Sequence, residues 1–275
     1  MSGGSRPFPL PALVECTQAG ADEFLNNTGK VFPQDLRFVF YPAPRSLPER
    51  LKVKADLPGT TERVGRDLVF HILEEALRGW PLPAVKGWIH HEAAGAQLKM
   101  ELGPTPFHFR KQLLPLFPVS GSAVNLIRQL VEQLREALDE FLTARILLDR
   151  GLVEPQLHWY DFRLGFPAAD PGPYRDTLPH GWVRASFLGG RMREFMALSL
   201  LDRQGPEKGK RLKGRWWRTY GFFVREDQAL LEELAQALLE HSGKPYPELL
   251  TGMFIRIRDA LLTRRPVPDH SSSLH

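Results

Sequence analysis

The chain has 275 residues, 43% of them hydrophobic and 25% charged, the proportions of a folded globular protein rather than of a disordered, fibrous or membrane-spanning one. Its single cysteine, Cys16, excludes an intramolecular disulfide and a cysteine-rich zinc site. Thirty-six Lys and Arg against thirty-two Asp and Glu leave a net charge of +4, mild for a polyanion binder, so the placement of the charge carries more than its total.

Twenty-four prolines break the chain into many short elements, which argues against a simple helical bundle. Residues 1–35 read as an arm with a short helix over Gln18–Asn27, and Met1 to Pro11 has no basic run leading an apolar one. A reducing, cytoplasmic setting without membrane contact follows as the expectation. Leu36–Tyr41 and Leu51–Leu57 read as strands, and Thr61–Arg78 as an amphipathic helix with Val64, Leu68, Ile72, Leu73 and Ala76 on one face. Val85–His91 and Gln97–Leu102 read as a β-hairpin with Gly95 in its connection, giving a β-β-α-β-β order for residues 36–120.

The longest helical signal runs from Ala123 to Asp149, with Leu126, Ile127, Leu130, Leu134, Leu138, Phe141, Leu142 and Ile146 in register. Within residues 121–151 it would connect the first half to a second α+β half over 152–265. That second half is expected to hold strands at Gln156–Leu164, Trp182–Leu188 and Lys213–Val224. Its expected helices open at Gly189-Gly190, run over Asp227–Glu240 with Asp227 as cap, and span Pro247–Thr263 with Arg256, Arg258, Arg264 and Arg265 on a basic face. Residues 266–275 read as a disordered tail. The fold class is therefore α+β: mixed sheets with a long central helix and two halves of similar size. No Gly-rich nucleotide loop supports a doubly wound alternative, and no cofactor is implied.

Chemistry concentrates at residues 207–225. Lys208, Lys210, Arg211 and Lys213 read as a glycine-flanked basic loop able to follow a phosphate backbone. On a strand after it, Trp216, Arg218 and Tyr220 would share one face and Arg215, Trp217 and Thr219 the other. Trp217 would then be core, and Trp216 with Arg218 and Tyr220 a stacking surface of the kind that holds single-stranded DNA or RNA. Arg191 and Arg193 after the diglycine would add phosphate contacts at a helix start.

The expected function is thus an accessory protein that binds nucleic acid through a basic, aromatic-interleaved surface. One alternative is a small-molecule or metal-dependent enzyme with a pocket around His158 and Asp161, joined by His90, His91 and Glu92 read on a strand and by His108 or His180. None of these has the spacing of a recognised metal motif, so no metal ligands are assigned. The other alternative is a protein-interaction subunit anchored by Trp216 or Trp217.

Overall fold

The computed structural model describes residues 19–24, 36–48, 58–65, 67–102, 123–165, 170–204 and 207–261. Cys16, His108, Arg264, Arg265, the expected strand Leu51–Leu57 and the tail lie outside the described residues. Among the described residues the protein is mostly helical, with one small mixed sheet of three strands. The chain forms two compact units from separated stretches. Unit 1 takes Met1–Gly103, Leu142–Phe166 and Leu201–Leu212, and unit 2 takes Pro104–Phe141, Pro167–Leu200 and Lys213–His275.

In unit 1, helix α1 (19–24) precedes β1 (Leu36–Tyr41), β2 (Gly59–Val64) and β3 (Asp67–Leu73). The sheet order is β1-β3-β2, with β1 parallel and β2 antiparallel to β3. Leu36–Tyr41 is a strand as its composition predicts. The helix expected over Thr61–Arg78 is instead β2, a turn at Gly65 (φ 63°), β3 and the short helix α2 (Glu74–Leu77). Val69, Phe70, His71, Ile72 and Leu73 are all buried, so this central strand is covered on both faces and loses the alternation that marks a one-sided strand.

The expected hairpin is one helix, α3 (Leu82–Leu102), so the β-β-α-β-β order does not hold. Val85, Trp88, Ile89, His90, His91, Ala93, Ala94 and Ala96 are buried, and a helix buried on most of its circumference presents no amphipathic stripe to read. Gln156–Leu164, expected as a strand, lies in helix α5 (Val153–Arg163), which packs on α3. A Cβ on Gly87 would overlap the carbonyl of Pro155 and come 2.9 Å from Trp159 Cβ, so glycine permits this approach. Trp80 closes the contact, with its ring centroid 5.1 Å from Trp159 and 4.7 Å from Phe162.

Helix α4 (Ala123–Asp149) has the extent predicted from periodicity; its residues to Phe141 belong to unit 2 and the rest to unit 1. Leu130, Leu134, Leu138 and Phe141 are fully buried, as the stripe requires. The remaining described elements of unit 2 are also helical. They are α6 (Gly172–Arg175), α7 (Gly181–Gln204, to Leu200), α8 (Glu207–Thr219, from Lys213), α9 (Arg225–His241) and α10 (Tyr246–Leu261).

Neither Trp182–Leu188 nor Lys213–Val224 is a strand: the first lies in α7, and helix α8 covers the second as far as Thr219. The diglycine does not open a helix but sits inside α7. Asp227 is not a cap either. It is fully buried inside α9, where it accepts hydrogen bonds from Arg184 Nε (2.9 Å) and Nη2 (2.7 Å) and from the Tyr174 hydroxyl (2.6 Å). That phenol is pushed well above its usual range by burial and by its bond to Asp227. It completes the network by accepting from Val224 N–H at 3.0 Å, just before the start of α9.

Candidate functional site

The basic segment is helical because its apolar residues recur with a period near four rather than two. Leu212 and Trp216 are buried while Lys210, Arg211 and Arg218 are exposed, so α8 has an apolar side and a cationic side. Glu207 in its first turn suits the positive end of the helix dipole.

The expected roles of the two tryptophans are reversed. Trp216 is fully buried, with its ring centroid 4.7 Å from Phe195 and 4.5 Å from Tyr220. Trp217 is half-buried and donates from Nε1 to Glu232 Oε1 at 3.1 Å. Successive helical residues point about 100° apart rather than to opposite faces, so the strand argument that paired Trp216 with Arg218 does not apply.

The cations separate into engaged and available ones. In unit 1, Lys208 Nζ lies 3.2 Å from Glu154 Oε1 and 3.3 Å from His158 Nδ1, while Lys210 and Arg211 are exposed and make no ion pair among the described residues. In unit 2, Lys213 pairs with Glu232 at 2.8 Å and lies over the Phe195 ring. Arg193 Nε donates to the buried Glu140 at 2.7 Å, and that carboxylate holds the guanidinium charged. Arg215 is half-buried, and Arg218 is exposed without an ion pair among the described residues.

Arg191 differs from these. Its guanidinium stands 5.4 Å from the Phe187 centroid and 5.7 Å from that of Tyr220, with no carboxylate partner among the described residues. Two rings thus hold a charge whose hydrogen-bond donors point to no protein acid.

Arg191 lines a cleft of about 410 Å³ within unit 2, together with Leu126, Gln129, Gln133, Ser186 and Phe187. Exposed Val183 and Gly190 also border it. The volume falls in the range of small-ligand sites, and the lining mixes apolar walls with a few polar groups. Of these residues only Arg191 is among the sites expected from sequence; Gln129, Gln133 and Ser186 are not. The available signal was the diglycine: two adjacent glycines inside a helix require a packing reason.

The histidine sites do not assemble. His90 and His91 are neighbours on α3, not on a strand. His90 faces Glu23, whose Oε2 lies 3.4 Å from its Nε2, while His91 Nδ1 is 3.2 Å from Gln156 Nε2. His158 is on the surface of α5 beside Glu154 and Lys208, and His180 is exposed. On a helix, His91-Glu92-Ala93-Ala94-Gly95 has the spacing of the H-E-x-x-H zinc motif, but glycine stands where the second histidine would be. Among the described residues, no group of three or more His, Cys, Asp or Glu could hold a metal ion. His71, outside the expected sites, bridges the sheet from Tyr41 Oη (3.0 Å) to Glu62 Oε2 (3.1 Å).

Among the described residues, no helix is long and apolar enough to cross a membrane. The chain matches no protein-family profile, no curated protein and no solved structure.

Proposed function

We propose that unit 2 binds single-stranded nucleic acid at the Arg191 cleft, in an accessory rather than a catalytic role. The observation that carries this reading is Arg191, whose guanidinium lies over the Phe187 and Tyr220 rings at the cleft, free of any carboxylate partner among the described residues. A planar guanidinium already ordered by two rings loses little freedom on meeting a phosphate, and it can bind one with two parallel hydrogen bonds. Leu126, Val183 and Phe187 supply apolar surface against which an unstacked base can lie. Arg218, exposed near the end of α8, supplies a second available charge in the same unit. Lys208, Lys213 and Arg193 are engaged with carboxylates and carry no part of this reading. The single cysteine supports a reducing, cytoplasmic setting.

The test is fluorescence anisotropy of a labelled 20-nucleotide single strand with the full chain between 50 and 200 mM salt. Binding should weaken with salt, and Arg191→Glu with Arg218→Glu should make the slope of log K against log salt shallower by about 1.4, since each phosphate contact on a single strand contributes about 0.7. Absence of binding at 50 mM salt, or a slope unchanged in the double variant, would reject the cleft as the binding surface.

A further inference from the structure

The cleft contains a feature that the charge argument does not use. Gly189 and Gly190 sit in the interior of α7, where glycine is disfavoured relative to alanine. An ideal Cβ at Gly189 would lie 2.7 Å from Gln133 Oε1, and one at Gly190 would lie 3.2 Å from Gln133 Nε2. Leu130 Cδ1 would lie 3.0 Å from the Gly189 Cβ, but Gln133 is the side chain that both glycines accommodate, and its amide lies along the surface of α7. Ser186 Oγ donates to Gln133 Oε1 at 3.4 Å and sets which end of the amide accepts. The Nε2 end makes no hydrogen bond among the described residues, and Gln133 lines the cleft beside Gln129 and Arg191.

A fixed amide in a cleft offers one acceptor next to one donor. Glutamine uses this pair on adenine, accepting from the N6 amine and donating to N7, while thymine presents a methyl and a carbonyl oxygen along the corresponding edge. In a single strand that edge is open to a side chain once the base is unstacked. The apolar lining of Leu126, Val183 and Phe187 gives the larger purine ring more surface to lie on than a pyrimidine would have.

We infer that the cleft is selective for adenine: the Gln133 amide, seated on Gly189–Gly190, reads an unstacked adenine while Arg191 holds the adjoining phosphate. This rests on the nucleic-acid reading above and names its base. The test compares 12-nucleotide dA, dT and dC homopolymers by anisotropy at one salt concentration, with wild type, Gln133→Ala and Gly189→Ala. Wild type should bind the dA strand about tenfold more tightly than the dT strand, within the discrimination of one good bidentate pair. Both variants should bind the dA strand no more tightly than the dT strand. Gly189→Ala acts by displacing the amide, and Gln133→Ala, a substitution at a half-buried position, keeps the test available if Gly189→Ala does not fold. Equal affinity for the homopolymers, or a dA preference that survives in Gln133→Ala, overturns the inference and leaves the binding surface intact. Failure of every strand to bind overturns the surface and this inference with it.

Discussion

Gly87 inside α3 and the Gly189–Gly190 pair inside α7 serve different ends. At Gly87 the neighbour is main chain: the Pro155 carbonyl and the Trp159 stem leave no space for a Cβ, and α3 and α5 meet almost backbone to backbone. At Gly189 and Gly190 the neighbours are side chains, chiefly Gln133, which can move, with buried Leu130 Cδ1 3.0 Å from a Cβ at Gly189. A helix glycine against rigid backbone is a packing requirement, whereas one against a flexible polar side chain at a cleft determines what that side chain presents. The first is expected to register in stability and the second in binding.

The largest expected effect concerns the packed side of this contrast within unit 2. Trp216→Ala should lower stability by about 3–5 kcal/mol, because a fully buried indole surrounded by Phe195, Trp217 and Tyr220 leaves a large cavity. Trp217→Ala, which removes a half-buried ring and one exposed hydrogen bond to Glu232, should cost clearly less in the same chemical denaturation series. Equal losses would mean that both indoles are core.

Gly87→Ala should cost about 1–3 kcal/mol, or prevent folding, since the added methyl gains helix propensity only by separating α3 from α5. A neutral or stabilising outcome in urea denaturation would break the comparison, because Gly87 would then be as forgiving as Gly189.

Helix α3 gives a third test through its buried histidine. Burial, which outweighs the nearby Glu23 carboxylate, lowers the His90 pKa from 6.5 to about 4, so the folded protein holds this ring neutral. Between those two values the unfolded chain takes up a proton that the folded chain does not, so stability should fall as pH drops through 6.5 toward 4. Relative to His90→Gln, wild type should lose roughly 1–2 kcal/mol between pH 6.5 and pH 5, at about 1.4 kcal/mol per pH unit. Denaturation midpoints that fall in parallel for the two proteins would show that His90 is not the titrating group.

The smallest stability effect is expected at the cleft. Gly189→Ala should stay within about 1 kcal/mol of wild type, the gain in propensity offsetting the displacement of Gln133. A loss as large as that of Gly87→Ala in the same denaturant series would make the diglycine a packing device and remove the distinction drawn here.

Several elements could be read from residue pattern alone. Ala123–Asp149, Arg225–His241 and Tyr246–Leu261 each carry an apolar stripe at helical spacing bounded by polar residues, and Leu36–Tyr41 is dense in the residues that strands favour. Such patterns survive in sequence because each element has one face toward water and one toward the interior. Arg191 was legible as a candidate because it follows a diglycine, although the reason offered, a helix N-terminus, does not hold.

What tertiary structure decided lies where burial removes the contrast between faces. Asp67–Leu73 is enclosed on both sides and α3 on most of its circumference, so neither periodicity shows. Lys213–Thr219 mixes aromatic and basic residues in a way that reads as a strand, yet it lies in a helix in which Leu212 and Trp216, four apart, are both buried. The burial of Trp216 rather than Trp217, the engagement of Arg193 by Glu140, and the amide of Gln133 laid over two glycines depend on residues tens of positions apart in the chain. Local sequence sets the conformations a segment can adopt; the partners that long-range packing brings to it decide which is kept and which polar groups remain to meet a ligand.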